Sequence, residues 1–527
     1  MDGRAKWMAV VASLVSTPAL ATLALAAAPE LSEQLAVTGD NGQIHACTGA
    51  QAGVAVWCVR AGAAGGGNGS AAAPLATINA AIAAAKAGDI VQVAAGTYNE
   101  NVAIGAYNNP AGKHLSLLGG FNAGFTSRDA AVHATIIDGG LLAPAVQLHL
   151  NTDMTTTLDG FRITAGLGLG STWQDGYGHG GGVHVEQQGS GTTVISHNRI
   201  GGNRSNHHQS ADSRGGGIHA ATPTWGGFSG SVHIVDNHIH DNLAGKGAGI
   251  NVVGRYALIE RNRIEDNIGH NDHGGGVYIS TGSTDVRDNI IRGNEIGASA
   301  GYGWGGGILI AGASADLSGN LVTDNYTPTT GAGVFWDEGA SGSMRNDLLV
   351  RNRCPQGSRS GAALYVDGGP GGPSSVLIEN ITIADHLCPD TAPDGAAVVV
   401  EGGSSIDVRN AILWGNTREF ATLSAGSVSI AYSITQQSGS GNFVANPLFA
   451  NAGAGDYHLR SAGGRYTASG WVVDAQTSLG IDAGDPASDF AQETAPNGGR
   501  VNLGAYGNTA QASRSPGGDV IFANGFQ

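Results

Sequence analysis

The chain has 527 residues, of which 87 are glycine and only 16 proline, with 13% charged and 41% hydrophobic side chains. Collagen and Pro/Gly-rich disorder are excluded, and so is a string of ordinary domains; many short strands joined by tight turns fit better. A formal charge of −16 without a polybasic segment excludes nucleic acid and anionic membrane surfaces as partners.

Residues 1–26 read as a secretory signal. Arg4 and Lys6 supply the positive start, residues 7–25 carry no charge, and small-x-small sites end at Ala21 and Ala26. No later segment is apolar for long enough to span a membrane. Export to an oxidising compartment makes Cys47, Cys58, Cys354 and Cys388 disulfide partners rather than metal ligands. Residues 27–88 then form an N-terminal hairpin and capping helix. The helix is expected over 74–86, with Pro74 in its first turn, Gly88 as its stop, and Leu75, Ile78 and Ile82 on one face. A strand follows at 90–93 and a turn at 96–98. Such a helix covers the open core and sheet edge of a first coil.

From about residue 180 two elements repeat. One is an Asn with a second Asn five places on: Asn198/Asn203, Asn237/Asn242, Asn262/Asn267, Asn289/Asn294 and Asn320/Asn325. A version one residue longer pairs Asn346/Asn352, Asn380/His386 and Asn410/Asn416. The other is a small-residue triplet before an apolar alternation, starting at Gly180, Gly215, Gly247, Gly274, Gly305, Gly331, Gly361 and Gly395. Fixed elements with variable spacers describe a coil of three short strands whose loops differ in length. The Leu-x-x-Leu-x-Leu signature of leucine-rich repeats is absent. In the coil beginning at Gly181, strands are expected at 181–185, 192–197 and 199–202, with a long return loop at 203–214. Asn at the corner is expected to take positive φ and to stack as a hydrogen-bonded ladder. One coil cannot bury its apolar face alone; a stack shares one core. The fold class is therefore all-β, a parallel β-helix of about a dozen coils over 89–421, with C-terminal coils and a cap at 422–510 and a tail at 511–527.

Period-2 alternation assigns the residue after each triplet, and the one two places later, to the core: Val183/Val185, Ile250/Val252, Val277/Ile279, Ile308/Ile310. The residue between is expected to face solvent, giving the stripe His184, His219, Asn251, Tyr278, Leu309, Phe335, Tyr365, Val399. Loops at 167–179, 203–214 and 295–304 should wall it, adding Trp173, Tyr177, Tyr302 and Trp304. Cys354 and Cys388 follow Asn352 and His386 by two residues each, so they stand at equivalent places in successive coils, about 4.8 Å apart, and should be bridged. By elimination and proximity Cys47 pairs with Cys58.

The segments 70–78, 87–91 and Gly96-Thr97-Tyr98 resemble the opening of bacterial secreted right-handed parallel β-helix proteins of the pectate-lyase-like superfold. Leu118-Gly119-Gly120-Phe121 and 135–139 are similar to their next coils. Asn446-Pro447-Leu448-Phe449, 456–459, 481–485 and 503–506 are similar to their closure. The resemblance implies a right-handed fold and a secreted or cell-surface bacterial protein. It implies no single function, since the superfold hosts lyases, hydrolases and non-catalytic surface proteins. The repeats also resemble those of chlamydial polymorphic outer membrane proteins, whose C-terminal barrel strands have no counterpart here. The last seven residues resemble a tail on exported proteins of some gammaproteobacteria.

Two function classes follow. The first is a monomeric surface or secreted protein binding a polysaccharide or surface glycan, or acting as an adhesin, through His184, His219, Asn251, Tyr278, Trp304, Phe335 and Tyr365. The second is a polysaccharide lyase on a uronate polymer, with Arg214 and then Lys246 as the basic residue and Ca²⁺ as an optional cofactor. The stripe itself offers neither carboxylate nor base. Gly178-His179-Gly180 and Asn151-Thr152-Asp153 resemble polygalacturonase fragments, but the paired aspartates that glycoside hydrolysis requires are missing. His207, His208 and Asp212 in one loop, and His270, Asp272 and His273 in another, carry metal-ligand chemistry without a metal-site spacing.

Overall fold

A computed structural model describes residues 44–517 except 107–108, 169–178, 206–212, 223–228, 298–302, 354–360 and 387–394, and the side chains of 271–272. Three long parallel sheets run along a β-helix. The strands after the triplets form an 11-stranded sheet (sheet 1), the second strands of the coils a 13-stranded sheet (sheet 2), and the third strands another 11-stranded sheet (sheet 3). Equivalent residues stack in register, as in the series Ile218, Ile250, Val277, Ile308, Val334, Leu364 and Val398 on sheet 1. All the expected inward pairs are buried in one continuous core.

In the coil at 180 the strands are Val183–Gln187, Thr192–Ser196 and Arg199–Gly201. The first begins two residues later than expected, because the triplet itself is a turn. The return segments are also more ordered than loops: Leu167–Gly168, Arg204–Ser205, Leu243–Lys246, Ile268–His273 and Glu295–Gly297 make a fourth, five-stranded sheet. His270 and His273 therefore lie on a strand.

The asparagines form two ladders. Asn198 accepts from Phe161 N, and its own N donates to Asn237 Oδ1; the relay continues through Asn262, Asn289 and Asn320 to Asp347. The second runs from Asn203 through Asn242, Asn267, Asn294 and Asn325 to Asn352. Positive φ, however, falls on the residue before each ladder member: His197, Asp236, Arg261 and Asp288 in the first ladder, Asp241, Asp266 and Asp324 in the second. The ladder Asn needs an extended approach to aim its amide along the stack, so the left-handed step is displaced onto its predecessor. This also explains the longer repeat: Asn346, Asn380 and Asn410 take the left-handed position themselves.

At the N-terminus the helix is Ile78–Ala84, shorter than expected. Thr77 caps it by accepting from Ala80 N, and Pro74 lies outside it. Ile78 and Ile82 are buried as anticipated, whereas Leu75 hydrogen-bonds Cys58 in an extended segment. Asp89 holds this cap, accepting from Ala55 N, Lys86 N and Trp57 Nε1. Cys47 and Cys58 form a disulfide with a Cα–Cα separation of 5.6 Å. The Cys354–Cys388 pair, the signal and residues 518–527 of the C-terminal tail lie outside the described residues. At the other end, 449–505 does more than close the stack: Tyr457 and Ala505 pack on Leu348, Val350 and Ala384 of sheet 3. Tyr457 donates to Asp385, and Asn346 donates to Ala505 O.

Candidate functional site

The outer face of sheet 1 carries two columns. In the first, His184 stacks on His219, Asn251, Tyr278, Leu309, Phe335, Tyr365 and Val399. The expectation that this stripe is solvent-exposed is wrong. His184 is 5% exposed, Tyr278 7%, Phe335 3% and Tyr365 1%; His219, Asn251, Leu309 and Val399 are also buried, and Trp304 is half-buried. The cover comes from the coil's own triplet. Gly180, at φ +62°, turns the returning chain so closely over His184 that a Cβ on it would meet that of His184 at 2.7 Å. Gly331 does the same over Phe335 at 2.8 Å. Beyond Tyr278 the column is an apolar seam of Leu309, Phe335, Tyr365 and Val399, with Ala311 and Trp304 packed against it. It is built for cohesion, so Phe335 and Tyr365 are not available for stacking on a sugar ring.

The second column lies one alternation further along the strands, beyond the positions the repeat marks. Glu186 and His149 lie side by side in it, two residues beyond His184 and Gln147. The end of sheet 1 nearest the N-terminus therefore holds a buried polar group. His149 Nδ1 lies 3.2 Å from Glu186 Oε2, and His184 Nε2 lies 3.4 Å from Oε1. The His184 ring is 5.1 Å from that of His149 and 5.2 Å from that of His219, and His179 stacks on His219 at 4.9 Å. Burial works against ionisation of Glu186, but contacts with His149 and His184 outweigh it and hold the carboxyl at about 2. Burial, reinforced by His179, His184 and Arg214, pushes His219 well below the usual imidazole range, so it stays neutral. Its Nδ1 lies 2.8 Å from Asn251 Oδ1.

A further ladder flanks these columns. The residues immediately before the triplets pair coil to coil in the order His179, Arg214, Lys246, His273, Trp304, Thr330. Arg214 and Lys246, singled out separately in the sequence, thus occupy adjacent rungs beside His219. Lys246 Nζ lies 5.8 Å from the Tyr278 ring, and His273 packs on Trp304 at 4.7 Å and Tyr278 at 5.9 Å. Being the residue before a repeat triplet was the signal that could have revealed this alignment. Of the loop candidates, His270 is pushed down by burial alone. His207, His208, Asp212, Trp173, Tyr177, Tyr302 and the Asp272 side chain lie outside the described residues. Among the described residues, the one set of three metal-capable side chains with donor atoms within 4.8 Å of one another is His149, His184 and Glu186.

Residues 62–294 match a family described as a protein of unknown function (DUF1565), and residues 396–484 one described as disaggregatase related. No curated protein matches the chain. Among solved structures it is similar to the pectate lyase Pel9A, at 14% identity and TM-score 0.35, over 86% of this chain and 97% of that one. It is also similar to a rhamnogalacturonan lyase, at 12% and 0.35, over 76% and 91% respectively. A lacto-N-biosidase from Eubacterium ramulus follows at 11% and 0.33, over 71% and 67%. Similarities this distant leave the activity to the chain's own residues.

Proposed function

We propose that this is an exported protein of the bacterial surface or medium that binds an anionic, uronate-type glycan along sheet 1. The observation that carries it is the coil-to-coil ladder His179, Arg214, Lys246, His273. On a chain of formal charge −16, this is a file of basic side chains at about 4.8 Å per rung. A polymer presenting a carboxylate on each sugar meets a basic residue on each coil. Trp304 continues the ladder beyond His273 as a half-buried aromatic edge, and His184, His219, Asn251 and Tyr278 lie beneath.

Retention on immobilised polygalacturonate, against a neutral galactan, tests this. Wild type should bind the acidic matrix, with affinity falling as salt rises, and Arg214→Ala/Lys246→Ala should bind at least about tenfold more weakly while folded. Equal retention of the two proteins contradicts the reading. A lyase is the second reading, favoured by one observation: a neutral imidazole, His219, beside the cation Arg214 supplies both a proton acceptor and charge neutralisation. Ultraviolet absorbance of unsaturated products, with and without Ca²⁺, decides between binding and cleavage.

A further inference from the structure

We infer that His149, His184 and Glu186 form a binding site for one transition-metal ion of the zinc type. The site is set by the register of two strands. His184 and Glu186 stand two residues apart on one face of Val183–Gln187, and His149 on Val146–Leu150 is the cross-strand neighbour of Glu186. All three are buried, at 4%, 5% and 7% exposure for His149, His184 and Glu186. One donor atom from each lies within 4.8 Å of the other two, a set that a small closure brings onto one ion. An ion bound at about 2.0–2.1 Å to nitrogen and oxygen in a tetrahedron has ligand–ligand edges of about 3.3 Å. Two contacts come close to that edge, His149 Nδ1 to Glu186 Oε2 at 3.2 Å and His184 Nε2 to Glu186 Oε1 at 3.4 Å, each nitrogen meeting its own carboxylate oxygen.

A plain ion-pair cluster explains less. His184 Nε2 is buried and faces Glu186 Oε1 at 3.4 Å without a well-formed hydrogen bond, a costly arrangement that an ion between them would relieve. Two imidazoles and one carboxylate select zinc-type ions over Ca²⁺ and Mg²⁺, which favour all-oxygen shells. Three protein ligands leave a fourth position for water. His219, hydrogen-bonded through Nδ1 to Asn251, stands next along the column and supports the His184 ring rather than completing the set. The inference holds whether or not a glycan binds.

The test uses tag-free full-length protein stripped with chelator and titrated with Zn²⁺, then Co²⁺. One ion per chain is expected, with a visible Co²⁺ absorption of four-coordinate nitrogen–oxygen ligation and a rise in melting temperature on Zn²⁺ addition. Glu186→Gln and His184→Ala should each weaken binding by roughly 100-fold or more and abolish the thermal shift. His270→Ala should leave both unchanged. His149→Gln keeps a polar amide in place and serves as the variant least disturbed in fold. Absence of stoichiometric binding by wild type, or binding unaltered in folded Glu186→Gln and His149→Gln, overturns the site.

Discussion

The two halves of the outer face of sheet 1 share one backbone and one register, yet do opposite work. Toward the N-terminus the outward columns read His149, His184, Glu186, His219 and Asn251; toward the C-terminus they read Leu309, Phe335, Tyr365 and Val399. Along the first column both halves are covered by the same glycine turn. In the apolar half, burial yields cohesion: Phe335 meets Tyr365 edge to face at 5.0 Å. In the polar half it yields shifted ionisation and an unsatisfied nitrogen, which cost stability and persist where a ligand can repay them. The comparison teaches that exposure is the wrong criterion for a site in a coil whose triplet folds back over its own strand.

The largest expected effect comes from breaking the apolar half. Phe335→Ala should destabilise by about 3–5 kcal/mol, seen as a lower melting temperature and urea midpoint, with no change in glycan retention. A loss of retention in folded Phe335→Ala would erase the distinction between the halves.

Next in size is the end of the first Asn ladder, where Asp347 stands in the place of an asparagine. It accepts from Asn320 N and Nδ2, while its second oxygen is buried without a partner. Burial raises its carboxyl to about 7. The native state therefore keeps a proton that the unfolded chain releases above its ordinary value. The contribution to stability is full below about pH 4, falls as pH rises, and is lost above about pH 7. Asp347→Asn should remove that slope and gain about 2–4 kcal/mol at pH 8 with little change at pH 4. Parallel melting curves for the two proteins across this window would contradict the assignment.

An interior rung costs somewhat less to break. Asn267 donates to Ile239 O and Asn294 Oδ1 and accepts from Asn242. Replacing it by Ala should cost about 2–3 kcal/mol by stranding buried backbone groups, measurable as local amide exchange in the coils on either side.

What could be read in advance was whatever the repeat enforces. The Asn ladders, the triplets and the inward pairs such as Val277/Ile279 recur at every coil, so periodicity exposes them. Three features escaped for physical reasons. The burial of His184 and Phe335 depends on backbone turned over them by Gly180 and Gly331, and no side-chain pattern encodes it. Glu186 and His149 meet only through cross-strand register, which alternation along a single strand does not carry. The packing of Tyr457 on Leu348 and Val350 joins segments about a hundred residues apart that share no repeat. Arg214 and Lys246 stand on one ladder with His179 and His273, an alignment carried by their shared place before a triplet.

The claim that the polar half is the functional face is tested most directly by hydrogen exchange with and without a soluble uronate oligomer. The account predicts slowed exchange in Val183–Gln187, Ile218–Thr222 and Leu243–Lys246, with Val334–Asp337 and Val398–Val400 unchanged. Protection confined to the apolar half, or to the outer face of sheet 2, would contradict it.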